Sequence, residues 1–345
     1  MKTVLVAGGA GFLGSHLCET LLNHGHRVIC VDNFYTGSPA NIAHLTAHPR
    51  FRFVQHNILM AMTLSDPIDE IYNLACPASP PKYQKDPHYT VMVNITGVLN
   101  LIALARRNNA RLLQASTSEV YGDPLNNVQK ETDWGHVNCT GPRACYDEGK
   151  RCAETILFDE WRKTHRPMKV ARIFNTYGPR MQADDGRIVS NFVVQALLGR
   201  PITVYGNGTQ TRSFCYVDDL IDGLIRLMQS PDGVTGPINL GNPEQLSALA
   251  LARRIARLLQ VEPNIVFKPL PIDDPKRRRP DISKAKMLLG WEPHTTLNEG
   301  LGRTIAFFRT RFVPLAKPAV GRQAGAALTG VQDISPGAIS AVSIS

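Results

Sequence analysis

Residues 8–14 read Gly8-Gly9-Ala10-Gly11-Phe12-Leu13-Gly14, and no other stretch of the chain narrows its possible folds as much. Before it, Thr3–Ala7 is an apolar run of strand length. After it, residues 13–25 repeat their apolar positions at helical spacing. Gly9, Gly11 and Gly14 give one spacing of a strand–turn–helix glycine motif, and Gly8, Gly11 and Gly14 give the variant with two residues in each gap. Either lets the backbone turn sharply and brings a pyrophosphate to the helix N-terminus, where free N–H groups and the dipole favour anions. Asp32 ends a second strand-like run, Arg27–Asp32, at the interval where a carboxylate meets a ribose diol and repels a 2′-phosphate. The two features together describe a Rossmann unit that takes NAD in preference to NADP.

The rest of the first half keeps that rhythm. Phe51–Gln55, 70–75, 111–116 and 169–174 read as strands, while 90–108 and 143–165 carry helical periodicity. Alternation of this kind predicts an α/β fold, a doubly wound parallel sheet with a smaller C-terminal substrate-binding lobe. The expected division is a dinucleotide-binding domain over 1–178 that takes back residues from about 213–242, and a lobe over 179–312. The stretch 313–345 has no aromatics and no period, and its composition predicts disorder.

Bulk composition removes other classes. The 345 residues are 43% hydrophobic and 19% charged, the balance of a globular protein. The apolar runs are strand-length, no membrane span is expected, and no secretory signal pattern opens the chain, so a cytoplasmic location is expected. Seven cysteines, without metal-type pairing, suit free thiols in a reducing compartment. The net charge of +9 is scattered except at Lys276-Arg277-Arg278-Arg279 and lacks interleaved aromatics, so attraction of an anionic small molecule explains it without nucleic acid. No metal site is expected.

Tyr146 and Lys150 stand at i and i+4, on one helix face. A phenol with a pKa of about 10 is a poor base, and nearby positive charge lowers that value. The pair follows a Rossmann motif and the segment Ala115–Gly122, with Thr117, at the carboxyl end of a predicted strand, where α/β enzymes place their chemistry.

These residues resemble the extended short-chain dehydrogenase/reductases that act on sugar nucleotides, and within that group the UDP-glucuronate decarboxylases. The resemblance runs from about Lys2 to Phe312. It is carried by 73–81 (NLACPASPP), 117–123 (TSEVYGD), 141–151 (GPRACYDEGKR), 171–181 (ARIFNTYGPRM), Gln210-Thr211-Arg212 and Arg278-Arg279-Pro280-Asp281. Ser118-Glu119 follows Thr117 where related 4,6-dehydratases carry Asp-Glu, and a hydroxyl cannot replace a carboxylic acid as proton donor to departing water.

The resemblance implies NAD-dependent decarboxylation of UDP-glucuronate to UDP-xylose through a 4-keto intermediate, with the cofactor regenerated, and a homodimer paired through helices near 90–108 and 143–165. It assigns catalysis to Thr117, Glu119, Tyr146, Lys150 and Arg278. Cofactor contacts fall on Gly8, Gly11, Phe12, Leu13 and Gly14; on Asp32, Asn33, Tyr35, Thr36 and Gly37; on Asn57, Ile58, Leu74 and Cys76; on Tyr146 and Lys150; and on Thr176 and Arg187. Substrate contacts fall on Thr117, Asn175, Tyr205, Gln210, Arg212 and Arg278. Asn57 stands where relatives carry Asp, and Met92 where close relatives carry a Lys that approaches substrate. A 4-epimerase or 4,6-dehydratase is the first rival reading, and a non-catalytic dinucleotide sensor the second; the sensor is disfavoured because Tyr146 and Lys150 are both kept.

Overall fold

Strands buried on both faces need nearly continuous apolar sequence, and the first half of the chain supplies it. The computed structural model describes residues 1–270 and 277–312, so the expected disorder of 313–345 lies outside the described residues. Six strands come first: β1 Thr3–Ala7, β2 Arg27–Asp32, β3 Phe51–Gln55, β4 Glu70–Asn73, β5 Arg111–Thr117 and β6 Met168–Ile173. The chain then leaves the sheet through β7 Thr176–Tyr177, β8 Ile202–Tyr205, β9 Thr211–Ser213 and β10 Cys215–Tyr216. It returns as β11 Ile238–Leu240 before β12 Gln245–Ser247, β13 Ile265–Lys268 and β14 Arg277–Arg278.

The main sheet has the order β11-β6-β5-β4-β1-β2-β3, and every pairing in it is parallel. Strand order runs outward from β1 in both directions, so a crevice opens between β1 and β4 at their carboxyl ends. Beyond the sheet, β9 lies between β12 and β14, and β8 pairs with β13.

The helices are α1 Phe12–Asn23, α2 Pro39–Ile42, α3 Pro80–Tyr83, α4 Pro87–Met92, α5 Val98–Asn108, α6 Ala144–Thr164, α7 Ile188–Leu197, α8 Val217–Gln229, α9 Ala248–Leu259, α10 Ser283–Leu289 and α11 Leu297–Phe312. Alternation along the strands sends Val4, Val6, Val28 and Cys30 to one face, into a core with Leu17 and Leu21 of α1 and Leu220 and Leu224 of α8. Leu5, Ala7, Ile29 and Val31 face the other way, against Leu101 and Ile102 of α5 and Ala153 and Leu157 of α6. The sheet is thereby covered on both sides.

The sequence boundaries hold to within a few residues, with one informative exception. The helix expected over 90–108 starts earlier, at Pro87, where the Asp86 side chain accepts from Tyr89 N at 2.9 Å and proline occupies the first turn. A π turn, Val93–Gly97, joins α4 to α5 without a break. The resulting 22-residue helix is long and apolar enough to cross a membrane, which the run-length reading did not anticipate. Half of its apolar window is buried inside the protein, which is how the core helix of a globular protein passes that test.

At the amino end of the sheet, remote from the crevice, Lys169 of β6 is fully buried. Its Nζ donates to Ser230 O (3.2 Å), Ser230 Oγ (3.1 Å), Pro231 O (2.6 Å) and Val234 O (2.8 Å), tying the segment after α8 to β6. Lys169→Met keeps the stem and removes the donor. We expect a loss of about 1–3 kcal/mol in urea unfolding, because buried carbonyls lose their partner, with dinucleotide affinity unchanged.

Candidate active site

The turn after β1 leaves no room for side chains. Gly8 has φ +76°, and a Cβ there would stand 2.7 Å from the Leu74 carbonyl carbon; a Cβ on Gly14 would stand 2.1 Å from Gly8 O. A Cβ on Gly9 would stand 2.6 Å from Cys30 Sγ and one on Gly11 3.1 Å from Gly8 O, so the close strand–helix approach draws on the glycines of both spacings. Gly11 caps α1 without any side-chain hydrogen bond, so the first-turn N–H groups of the helix have no side-chain cap. A cradle closed to Cβ atoms at an uncapped helix N-terminus fits a dinucleotide pyrophosphate.

Asp32 sits at the end of β2. Its carboxylate accepts from Ala10 N (3.0 Å) and Phe34 N (2.7 Å). Burial pushes its pKa up, and the N–H groups of Phe34, Ala10 and Asn33 offset part of that rise. Gly37 is the one expected cofactor residue that does not line the cavity. Its role is indirect: a Cβ at Gly37 would lie 2.7 Å from Asp32 Oδ1. Beside Asp32, Asn33 Nδ2 donates to the Tyr89 hydroxyl at 2.8 Å, and Tyr35 packs on Tyr89 with ring centroids 4.6 Å apart. Asn57 Oδ1 accepts from Leu59 N at 3.1 Å in a local turn, a bond that Asp in its place would also make.

A cavity of about 760 Å³ extends from this cradle across the carboxyl ends of the strands. Its lining brings together Gly8, Gly11, Phe12, Leu13, Gly14, Asp32, Asn33, Tyr35, Thr36, Asn57, Ile58, Leu74 and Cys76 with Thr117, Glu119, Tyr146 and Lys150. Asn175, Thr176, Arg187, Tyr205, Gln210, Arg212 and Arg278 complete it. Met92 is 45% exposed and outside the lining.

Thr117 ends β5 and caps the short turn Ser118–Tyr121, its Oγ1 accepting from Glu119 N at 3.2 Å. Its side chain lines the cavity together with Tyr146. The Tyr146 ring stacks on Tyr83 with centroids 4.9 Å apart and planes 5° from parallel, which fixes the phenol's direction. The i, i+4 spacing places Lys150 Nζ 5.8 Å from the Tyr146 ring centroid. That ammonium donates to Ala115 O at 2.8 Å, so the direct phenol–ammonium pairing expected from spacing is replaced by a bond to β5. Burial pushes the Tyr146 phenol well up, and the nearby Thr117 hydroxyl and the Arg187 charge only partly oppose it.

Around Glu119 the field is strongly positive. Its Oε2 accepts from Arg278 NH2 at 2.6 Å and from Arg143 NH2 at 2.8 Å. Arg278 also donates to Ser118 O. Parallel pairing of β14 with β9 sets Arg278 directly beside Arg212. Burial would raise the Glu119 pKa, but Arg278, Arg143 and Arg212 together hold it below the usual carboxylate range. Asp147, one residue beyond Tyr146, is pushed the opposite way, up to about 7, by burial and by the Glu119 charge. Three arginines against one ionised carboxylate leave net positive charge beside Tyr146, suited to an anionic substrate.

Sequence reading passed over Arg143 and Tyr83. Arg143 lies inside 141–151, three residues before Tyr146, and that offset at a helix start was its available signal. Tyr83 lies two residues beyond 73–81, and no spacing rule connects it to Tyr146. Among the described residues no cluster suited to a metal ion occurs, and all seven cysteines are free.

Asp32→Ala deletes the charge that opposes a 2′-phosphate. We expect the preference for NAD over NADP, measured by fluorescence titration of each cofactor, to shrink by at least about tenfold, roughly 1.4 kcal/mol. An unchanged ratio would place the discrimination in residues 33–37.

Residues 4–241 match the model of the NAD dependent epimerase/dehydratase family. UDP-glucuronic acid decarboxylase 3 of Arabidopsis thaliana is 51% identical over 309 residues, 89% of each chain. UDP-glucuronic acid decarboxylase 1 of Danio rerio is 52% identical over 307 residues, covering 89% of this chain and 72% of that protein. Among solved structures, UDP-glucuronic acid 4-epimerase from Bacillus cereus, in complex with UDP-glucuronic acid and NAD, superposes with a TM-score of 0.80 at 30% identity, covering 90% of this chain and all of that one. UDP-glucose 4-epimerase from Thermotoga maritima, with UDP-glucose, gives a TM-score of 0.80 at 27% identity, covering 90% and 99%. With the glycine cradle, the Asp32 carboxylate and the Tyr146–Lys150 helix in one cavity, the chain belongs to the NAD dependent epimerase/dehydratase family of extended short-chain dehydrogenase/reductases.

Proposed function

We propose that this protein decarboxylates UDP-glucuronate to UDP-xylose, with NAD regenerated in each cycle. The observation that carries the reading is Glu119, ionised, held by Arg143 and Arg278, and lining one cavity with Thr117 and Tyr146. The identity of about half the residues with proteins named UDP-glucuronic acid decarboxylases supports it.

NAD, when bound, supplies the hydride acceptor, later the hydride donor, and the positive ring charge that favours a phenolate. The residues do the rest. Tyr146 takes the proton of the sugar 4-hydroxyl, with Thr117 beside it in the cavity wall. Once C4 is a ketone, the C5 carboxylate is β to a carbonyl. Its C–C bond breaks with the electron pair delocalised toward O4, where Thr117 and Tyr146 stabilise the developing negative charge. Carbon dioxide departs, and C5 then takes a proton. Glu119 has no proton to give in its ionised state, so its part is to hold Arg278 and Arg143 and to orient a proton-bearing group at C5. Arg212 and Arg278, adjacent on paired strands, suit paired oxygens of the diphosphate or carboxylate.

A 4-epimerase reading has one observation in its favour, the likeness to the Bacillus cereus enzyme at 30% identity. Product analysis separates the two, since only decarboxylation releases carbon dioxide.

The helix formed by α4, the π turn and α5 leaves Met92 and Leu99 roughly half exposed. An apolar face of this kind supports pairing with a second copy in a homodimer. Sedimentation at micromolar concentration should give the dimer mass, and a monomer alone would remove this assembly.

Two substitutions divide the reaction. Tyr146→Phe should reduce both cofactor reduction and carbon dioxide release by more than about tenfold, a barrier increase above roughly 1.4 kcal/mol, while NAD still binds. Glu119→Gln should spare cofactor reduction and slow the later steps, so that reduced cofactor builds up in a single turnover. Uniform slowing without that build-up would reduce Glu119 to a structural carboxylate.

A further inference from the structure

Arg278 reaches the Thr117–Glu119 turn from far along the chain, on a two-residue strand. Besides its pairing with β9 and the Ser213 hydroxyl that donates to its carbonyl at 3.1 Å, a closed set of hydrogen bonds outside the catalytic constellation holds its segment. Gln129 is fully buried. Its backbone N–H donates to Arg279 O at 2.9 Å, its Oε1 accepts from Arg279 N at 2.7 Å, and its carbonyl accepts from Asp281 N at 2.9 Å. The residues just after Arg278 are thus gripped on both edges. Gln129 Nε2 in turn donates to Asn126 O at 3.0 Å, which fixes the direction of its amide.

Asn239, on the edge strand β11, is fully buried too. Its Nδ2 donates both hydrogens, to Gln129 O at 3.0 Å and Asp281 O at 3.1 Å. Its Oδ1 accepts from the Tyr121 hydroxyl at 2.7 Å. That hydroxyl receives a hydrogen bond from Arg172 NH1 at 3.0 Å, which leaves its own proton to point at Asn239. The amide orientation follows, because the flipped form would set a carbonyl oxygen against two others. Tyr121 closes the same short turn that carries Ser118 and Glu119. One amide therefore ties the Glu119 turn, by its oxygen, to the Arg278 segment, by its nitrogen.

We propose that Asn239 and Gln129 are positioning residues for Arg278, forming a clamp that sets its guanidinium against Glu119 and the sugar for the steps after cofactor reduction. This deepens the proposed decarboxylation and rests on it. The functional alternative is weak: neither residue lines the cavity, so neither touches substrate. A purely structural role differs from the clamp in what it does to the two halves of the reaction.

Gln129→Met keeps the volume and removes the acceptor for Arg279 N. In a single turnover with UDP-glucuronate we expect cofactor reduction to change by less than about twofold and carbon dioxide release to fall about tenfold. On an Arg278→Lys background the same substitution should add less than about twofold, because both changes act through one group. Equal slowing of both steps by Gln129→Met, or multiplication of the two losses, overturns the clamp. Should Gln129→Met unfold below the assay temperature, Asn239→Ala is read in the same way, and if neither variant stays folded the pair is a folding element and the proposal fails. Wild-type protein that releases no carbon dioxide would overturn the decarboxylase reading instead. The clamp is then decided by the same pair of substitutions read as UDP-glucuronate affinity, where fully multiplied losses sink it.

Discussion

The Glu119 carboxylate is where distant pieces of the chain agree. Arg143 arrives from the residue before α6, Arg278 from β14, and Arg212 from the neighbouring strand β9. Each guanidinium alone in a half-closed cavity would be an uncompensated charge, and three together would repel. One ionised carboxylate makes their convergence tolerable, and it does so in the cavity that Thr117 and Tyr146 also line. Breaking that centre removes an acceptor and also the reason for several loops to meet.

The sheet prepares this meeting without specifying it. Parallel order running outward from β1 opens a crevice whose floor is the carboxyl ends of β1, β4 and β5. The glycine turn defines one half of the crevice through backbone geometry, and the Asp32 carboxylate adds a charge at its edge. The other half depends on side chains drawn from beyond the sheet, and its positive field is surplus until an anion enters.

Much of this was legible in the sequence, and the limits have physical causes. Strand bounds such as Thr3–Ala7 and Arg27–Asp32 follow from apolar runs that a doubly covered parallel sheet demands, and the glycine cradle is a local backbone requirement. Local spacing also put Tyr146 and Lys150 on one face, though it could not say that the ammonium would turn to Ala115 O. The opposite behaviour of Glu119 and Asp147 depends on burial and on charges more than a hundred residues away. Arg143, Tyr83, Gln129 and Asn239 matter through tertiary contacts, and no period or motif rule reaches across such separations. The expected role of Gly37 changed from contact to clearance, because its missing Cβ makes room for Asp32.

The π turn at Val93–Gly97 has its own consequence. A wider turn holds one residue more than the ordinary helix, and each residue advances the helix by about 100°. The side chains before it and after it are therefore indexed differently: Tyr89 and Val93 line the cavity and also pack on the core that Leu101, Ile102 and Ala105 join. A single continuous rod serves as cavity wall and core together over its first part and as core over its second, and the extra residue lies between them. Asn94, inside the turn, donates to Thr90 O and to the Cys76 sulfur and lies against Gly149, the residue before Lys150 on α6. Shortening the turn by one residue would leave composition and hydropathy nearly unchanged, yet it would turn the buried set Leu101, Ile102 and Ala105 away from its present packing by about 100°. In this helix the count of residues is as binding as their identity.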